Sequence, residues 1–479
     1  MPLTDLTSMP TEEPTTTNAN PKLVRVLDPA DGSLVGEHEV AGEDEVRAAV
    51  EAAVRAAPGW ARTAPAERAA MVAAAADRVA AAADDLALLT TREMGKPLAD
   101  ARGGVDAGVG ALRQYAELGP LHRGRSLQGS WDATDLMVHG PRGVVAAITP
   151  WNDPVAVPCG LLGAALVTGN TVVLKPSERT PATGLELARL VAAELPAGVL
   201  EVVVGDGTTG AALASSEHVD VVAHVGSTAT GRAIAAAAAR TGAKLLLENG
   251  GNDPMVVDAG VDPEWAAEQA ALGSFANAGQ ICTSVERIYV VEEVAEQFLA
   301  ALVRRARERV IGPGTAPATE LGPLVDERMR STVHQQVCDA VAAGAELLAG
   351  GQVPEGPGTF YPATVLSGCR SGMAVVDEET FGPVAPVTIV HDFDAALAAA
   401  AAGRYGLAAV VLTTDMEHAQ RAWRELPVGT VKINAAFGGA PGGAAQPRGA
   451  SGTGFGYGPE LLDEMTTTKV VHLGLPRRG

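Results

Sequence analysis

Three segments of this 479-residue chain place reactive side chains where a backbone can support them. Cys282 stands in Phe275-Ala276-Asn277-Ala278-Gly279-Gln280-Ile281-Cys282-Thr283-Ser284, after a long apolar helical stretch and before a run of β formers. It therefore belongs to a connection between elements, the usual home of reactive groups. Glu248-Asn249-Gly250-Gly251 puts a carboxylate at a predicted strand end, beside paired glycines that permit close approach of other backbone. Pro150-Trp151-Asn152-Asp153-Pro154 holds an amide in a proline-fixed turn. A thiol, a carboxylate and an amide make a nucleophile, a general base and a donor to an oxyanion. By residue type alone a cysteine is more often a small buried hydrophobe; the other two segments are what shift that reading.

Two glycine-flanked turns bear on a nucleotide. Gly205-Asp206-Gly207-Thr208-Thr209-Gly210 matches G-x-G-x-x-G between a predicted strand and a helix. No acidic residue closes a second strand about 20 residues on, as that fingerprint requires, so a phosphate loop and a plain tight turn both stand. Gly226-Ser227-Thr228-Ala229-Thr230-Gly231 offers hydroxyls and backbone N–H groups at a helix start, an anion seat or an ordinary N-cap. Two such turns in one sheet point to a nucleotide.

The elements that must position these groups follow from periodicity. Residues 43–95 read as two Ala-rich helices, with Thr63 as a cap and Pro65 in the first turn of the second. Short β-rich runs then alternate with helices: strands near 143–148, 170–174, 199–204 and 219–225, then, beyond Glu248, near 255–257 and 287–291. Near-continuous apolar strands in β–α order mark parallel sheets covered on both faces. The expected fold class is α/β, with two three-layer parallel-sheet units in tandem and a seam near 247–251, since single cores stop growing at roughly 250–300 residues. Residues 466–475 are β-like and stand apart from either unit.

Composition narrows the function classes. The formal net charge is −21, and an acidic surface repels phosphate backbones and anionic lipid; neither nucleic acid nor membrane is an expected partner. Residues 155–174 carry no charge, but Pro158, Gly160, Gly163 and Gly169-Asn170 break them into a buried helix and a buried strand. The four cysteines (Cys159, Cys282, Cys338, Cys369) form no C-x-x-C pair, and no Cys/His cluster has zinc-ligand spacing. No metal is expected, and free thiols fit a reducing, cytoplasmic setting. Residues 1–21, rich in Thr, Pro and Asn, read as a floppy tail rather than a signal peptide.

Together the motifs resemble the aldehyde dehydrogenase superfamily. The resemblance runs from about Val24 to the C-terminus. It rests on six blocks in order: P-W-N at 150–152, K-P-S-E-R-T-P at 175–181, G-S-T-A-T-G at 226–231, E-N-G-G at 248–251, F-A-N-A-G-Q-I-C at 275–282 and E-E-T-F-G-P-V at 378–384. It implies that Cys282 attacks the aldehyde and that Asn152, with the Cys282 backbone N–H, holds the oxyanion. Glu248 would activate the water that hydrolyses the thioester. For the cofactor it implies Lys175, Ser177 and Glu178 at the adenosine ribose, where a carboxylate favours NAD while leaving NADP possible. Gly207 would lie near the adenine, and Gly226, Ser227 and Gly231 at the pyrophosphate. Ile148, Pro150, Trp151 and Asn249 would line the nicotinamide end. Glu379 would hold the nicotinamide ribose, with Phe381 against the ring.

The resemblance also implies a Rossmann-like NAD-binding domain (22–123 and 141–247), a catalytic domain (248–445) and a small β oligomerisation arm (124–140 and 446–479), hence a homodimer or homotetramer. Departures from the pattern are Asn249 in place of leucine, and Gln446-Pro447-Arg448-Gly449-Ala450-Ser451-Gly452 after a Gly-rich loop at 438–445. Arg448 reads either as a contact for an anionic substrate or as a solvated charge; Trp151, Phe275 and Phe437 are the aromatic candidates for an aldehyde tunnel. Three alternatives remain at this point: transfer of the acyl group to coenzyme A, a catalytically silent binding protein on the same fold, and a thiol hydrolase.

Overall fold

A computed structural model describes residues 22–439 and 443–476; the tail expected at 1–21, and residues 440–442 of the Gly-rich loop, lie outside them. The chain begins with an antiparallel pair, β1 (Leu23–Leu27) and β2 (Leu34–Glu39), followed by helices α1 (Glu43–Arg62), α2 (Pro65–Ala81), α3 (Ala83–Met94) and α4 (Leu98–Leu118). Three helices thus occupy 43–94, where two were expected. The extra break falls at Ala82, inside an alanine run with no Gly or Pro to announce it. Thr63 ends α1 instead of capping α2, whose N-cap is Ala64.

After β3 (Arg125–Leu127) and β4 (Ala133–Pro141) comes the first α/β unit: β5 (Val144–Ile148), α5 (Ala156–Val167), β6 (Thr171–Lys175), α6 (Pro181–Ala192), β7 (Leu200–Val202), α7 (Gly207–Ala214), β8 (Val221–Val225), α8 (Thr228–Thr241) and β9 (Lys244–Glu248). Strands β5 to β9 are parallel, in the order β9-β8-β5-β6-β7. Alternation along them sends side chains to two separate cores. Val145, Ala147, Val172 and Leu174 join α2, α4 and α5 on one face, and Val144, Ala146, Val173 and Val222 join α1 and α8 on the other. The uncharged stretch at 155–174 becomes buried α5 and β6, and no helix among the described residues is long and apolar enough to cross a membrane.

Beyond β9 the chain builds a second sheet from β10 (Asp253–Val257), β11 (Val285–Val291), β12 (Glu346–Ala349), β13 (Thr364–Ser367), β14 (Val384–Val390), β16 (Ala408–Leu412) and β17 (Thr430–Ile433), in the order β12-β13-β14-β11-β10-β16-β17. Helix α9 (Pro263–Phe275) covers one face of it with Met255, Val257 and Ile288, while Val256, Tyr289, Ala409 and Val411 form a core on the other. Two three-layer units result, one per sheet.

The C-terminal segment then touches every part of the fold. Arg448–Gly449 (β18) pairs with β15 (Tyr405–Gly406), and Gly452–Thr453 (β19) adds an antiparallel edge to β9. Leu461, Leu462 and Met465 enter the first core, and β20 (Thr466–Gly474) runs antiparallel to β4 over nine residue pairs. Residues 446–465 therefore serve the two main units before the chain reaches the arm-like β3-β4-β20 sheet.

Candidate active site

The loop between α9 and β11 is built to hold Cys282 in one place. Asn277 (φ 48°) and Ala278 (φ 55°) adopt left-handed backbone without being glycine, a conformation that persists only when its surroundings impose it. Those surroundings centre on buried Gln280, whose Nε2 donates to Asn277 O (3.1 Å) and whose Oε1 accepts from Val325 N (2.9 Å). Gln280 O accepts from both Asn277 Nδ2 (3.0 Å) and Asn152 Nδ2 (3.1 Å). The turn after β5 is thereby tied to the Cys282 loop by the amide that sequence reading put beside it. One N–H of that amide is used in this bond and the other remains to donate.

Glu248, the last residue of β9, lies near enough to Cys282 for its charge to act on the thiol. Its Oε1 is buried without a partner, and burial pushes its carboxyl up to about 8, opposed by backbone N–H at Gly456. Gly456 lies so close to this carboxyl that a Cβ there would overlap it. The Cys282 thiol is pushed up to about 12 by the protein crowded round it and by Asp253, Glu248, Glu379 and Asp153. Cys282 itself keeps an exposed surface. At rest the site holds a thiol, and Glu248 is poised near neutrality.

Glu379 follows a short turn of helix and accepts a hydrogen bond from Gly251 N (3.0 Å). Burial raises it to about 7. A Cβ at Gly250 would overlap its carboxylate, which is the physical need for glycine there. Next to it, buried Glu286 on β11 accepts from Thr380 N and Phe381 N, both at 2.8 Å, and so shapes the turn that gives Phe381 its left-handed φ of 52°. Phe381 meets the Trp151 ring edge-on at 5.5 Å, and Arg179 lies over the same indole at 5.1 Å, held by Asp326 at 2.7 Å.

The carboxyl ends of β5, β6 and β8 are where open parallel sheets bind ligands. Ile148, Thr149 and Pro150 follow one another there, all buried, and Thr149 Oγ1 has no partner. Lys175 is buried at the end of β6, with its ammonium on Pro176 O (3.1 Å) and near Glu178 (3.7 Å), which is half exposed. Ser177 is buried beside them. Ser227 caps α8 by accepting from Thr230 N (3.2 Å), and no acid stands in that first turn. Below Gly226 lies His224, driven down to about 4 by burial and so neutral. An orphaned hydroxyl, a buried ammonium and a bare helix N-terminus suit the ribose and pyrophosphate of a dinucleotide.

The two glycine turns therefore differ. In the G-x-G-x-x-G turn, Asp206 caps α7 through Thr208 N (2.8 Å) and pairs with Lys22, so a carboxylate already sits where a phosphate would need to go. Gly207 opens that helix with free space at its Cβ position. Asn249 faces away from the Glu248 carboxylate: its Nδ2 donates to Ala450 O (3.2 Å), and its side chain packs where a Cβ on Gly231 would otherwise stand. Phe275 is core rather than tunnel wall, and Arg448 is exposed on β18.

Four residues close to the chemistry went unread in the sequence: Gln280, Glu286, Asp253 and Lys432. Two charged residues in succession, Glu286-Arg287, within an otherwise apolar strand were the available signal for Glu286. The fold also brings His122, His139 and Asp463 together, with ligand atoms within 4.8 Å of one another; their separation in the chain hides this from any spacing rule. An open hollow of about 620 Å³, lined by Leu89, Leu185 and Leu200 among others, includes none of Cys282, Glu248, Asn152, Lys175 or Ser227.

A model of the aldehyde dehydrogenase family matches residues 16–471. The chain belongs to that family. Among aldehyde dehydrogenases it is 36% identical to the NADP(+) succinate-semialdehyde dehydrogenase of Escherichia coli over 462 residues, covering 95% of each chain. It is also 36% identical to a glutarate-semialdehyde dehydrogenase of Pseudomonas putida, over 92% of this chain and 93% of that protein. Among solved structures, an NAD-dependent aldehyde dehydrogenase from Sinorhizobium meliloti superposes with a TM-score of 0.92 at 35% identity, covering 96% of this chain and 92% of that one. The protein is thus an aldehyde dehydrogenase that oxidises an aldehyde to a carboxylic acid with NAD(P)+.

Proposed function

We propose that Cys282, Glu248 and Asn152 carry this oxidation, with water as the acyl acceptor. The observation behind the assignment is the bond from Asn152 Nδ2 to the Cys282 loop at Gln280 O (3.1 Å), joined with a Glu248 carboxyl that is raised to about 8 and acts on the same thiol. Glu248 takes the thiol proton, and the thiolate attacks the carbonyl carbon to form a thiohemiacetal. The free N–H of Asn152 and the backbone N–H of Cys282 hold the developing oxyanion. Collapse of this intermediate expels hydride, for which NAD(P)+ supplies the acceptor, and leaves a thioester on Cys282. Glu248 gives the thiol proton up to solvent and, ionised again, takes a proton from water as that water attacks the acyl carbon. Cys282 leaves as thiolate, and the product is the acid.

Glu379, Phe381 and Trp151 form the nicotinamide end of the cofactor site, Ser227 and the start of α8 take the pyrophosphate, and Lys175 with Glu178 takes the adenosine ribose. A half-exposed carboxylate at that ribose favours NAD over NADP. The presence of Glu248 favours hydrolysis over transfer to coenzyme A, because a thiol acceptor needs no base to activate water. The exposed β20 edge, with Val470 and Leu473 open to solvent, supports an arm that completes a neighbour's sheet in a dimer or dimer of dimers. NADH formation across neutral, amino and acidic aldehydes, without coenzyme A and beside a Cys282→Ala control, tests the reading. Turnover that vanishes in the control is expected; turnover that survives it removes Cys282 from the mechanism.

A further inference from the structure

Lys432 is a half-buried cation whose position nothing above explains. It lies on β17, whose backbone pairs it with Val410 of β16, which in turn pairs with Met255 of β10. Residues in register across a sheet share a face, so Lys432 projects with Met255 and Val410 onto the face covered by α9, the helix that leads into the Cys282 loop. Asp253, two residues before Met255, faces the same way. It lies beside the Cys282 backbone at Gly251, where a Cβ would stand 2.9 Å from Asp253 Oδ1 and 2.6 Å from Cys282 O. The Lys432 ammonium donates to Ala436 O (3.0 Å) and lies 5.1 Å from the centre of the Phe437 ring. Ala436 is itself fixed to α9 by Gln269 (3.0 Å).

The other cations near the site are engaged. Arg287 donates to three backbone carbonyls, of Asn252, Ala402 and Ala400. Arg404 pairs with Glu378, Arg179 with Asp326, Lys96 with Asp153 and Lys175 with Glu178. Among the described residues Lys432 has no carboxylate within ion-pair distance, and two of its three N–H donors have no protein acceptor.

We propose that Lys432, beside Phe437, is the seat for an anionic group at the far end of the aldehyde, so that the preferred substrates are short straight-chain aldehydes bearing a terminal carboxylate. This rests on Cys282 being the nucleophile. The acids nearby do not pair with the ammonium: burial raises the carboxyls of Asp253 and Glu248, and neither lies within ion-pair distance of it. Phe437 offers the methylene chain an apolar wall, and the ammonium supplies a charge-assisted bond to its end.

The test compares 4-oxobutanoate and 5-oxopentanoate with butanal and pentanal, in the wild type and in Lys432→Met and Lys432→Arg. A charge-assisted bond in a partly buried site corresponds to roughly 10- to 100-fold in affinity. Lys432→Met should raise KM for the oxo acids by that factor while moving butanal and pentanal less than about threefold, and Lys432→Arg should recover part of the loss. In the wild type, succinate or glutarate should compete with the aldehyde. Equal loss on charged and neutral aldehydes, or a wild type indifferent to the charge, overturns the assignment. Failure of Cys282 as nucleophile would show separately, as butanal turnover that survives Cys282→Ala.

Discussion

The raised Glu248 carboxyl makes a quantitative statement about hydrolysis. With its carboxyl near 8, about one tenth of Glu248 is ionised at pH 7 and about nine tenths at pH 9. If the carboxylate is the base that activates water, deacylation should rise about tenfold across that interval and level off above it. The cause is loss of solvation around a carboxyl whose Oε1 has no partner, so the ionised form is disfavoured until pH supplies the difference. Acylating Cys282 with p-nitrophenyl acetate isolates this half-reaction: a rapid burst of nitrophenolate reports acylation, and the slower steady release reports hydrolysis. In Glu248→Gln the burst should slow, because a thiol pushed up to about 12 loses its base, and steady release should fall by at least about 10²-fold, the low end for a general base. A steady rate that stays flat from pH 6.5 to 9.5, or that keeps its inflection in Glu248→Gln, would refute the argument.

Asn152→Ala removes one oxyanion donor and should lower kcat by about 10²–10³ while leaving cofactor binding nearly unchanged, checked by steady-state kinetics and fluorescence titration with NADH. Gly250→Ala should displace Glu379 from Gly251 N; KM for the cofactor should rise at least tenfold, with a stability loss of about 1–3 kcal/mol from overpacking, read by thermal melts. Glu286→Ala leaves the N–H groups of Thr380 and Phe381 without acceptors, at about 1–3 kcal/mol for each one left unsatisfied. Its melting temperature should fall, and its defect should appear in cofactor KM before kcat.

What could be read in the sequence was local. Cys282 in a loop, Glu248 at a strand end and Asn152 between prolines are facts about neighbours in the chain, and the β–α alternation beyond residue 143 is a matter of period. What escaped depends on which distant segments meet. Asp253 and Lys432 are brought to one face by strand order β10-β16-β17, which no spacing encodes. Asn249 looks like a companion of Glu248 until the return of Ala450 and Ser451 draws it towards α8. The break at Ala82 leaves no trace because alanine suits both sides of it. Glu286 went unread because the strand was expected to begin at 287; inside the observed buried strand a carboxylate has to be answered by donors somewhere.

The β9–β19 pairing bears on when during its life the enzyme can first act. Glu248 is made well before Gly452, which completes its strand edge, and Gly456, which encloses its carboxyl. Gly452, at φ 123° and pressed against Leu247 O, joins the two ends of that interval. While those residues are still inside the ribosomal exit tunnel, a nascent chain already carrying Cys282 has a reactive thiol but an incomplete base. Aldehyde captured at that stage would meet no machinery to release it as acid, so competence waits for the return of residues 452–456 to Glu248 rather than for the folding of either sheet.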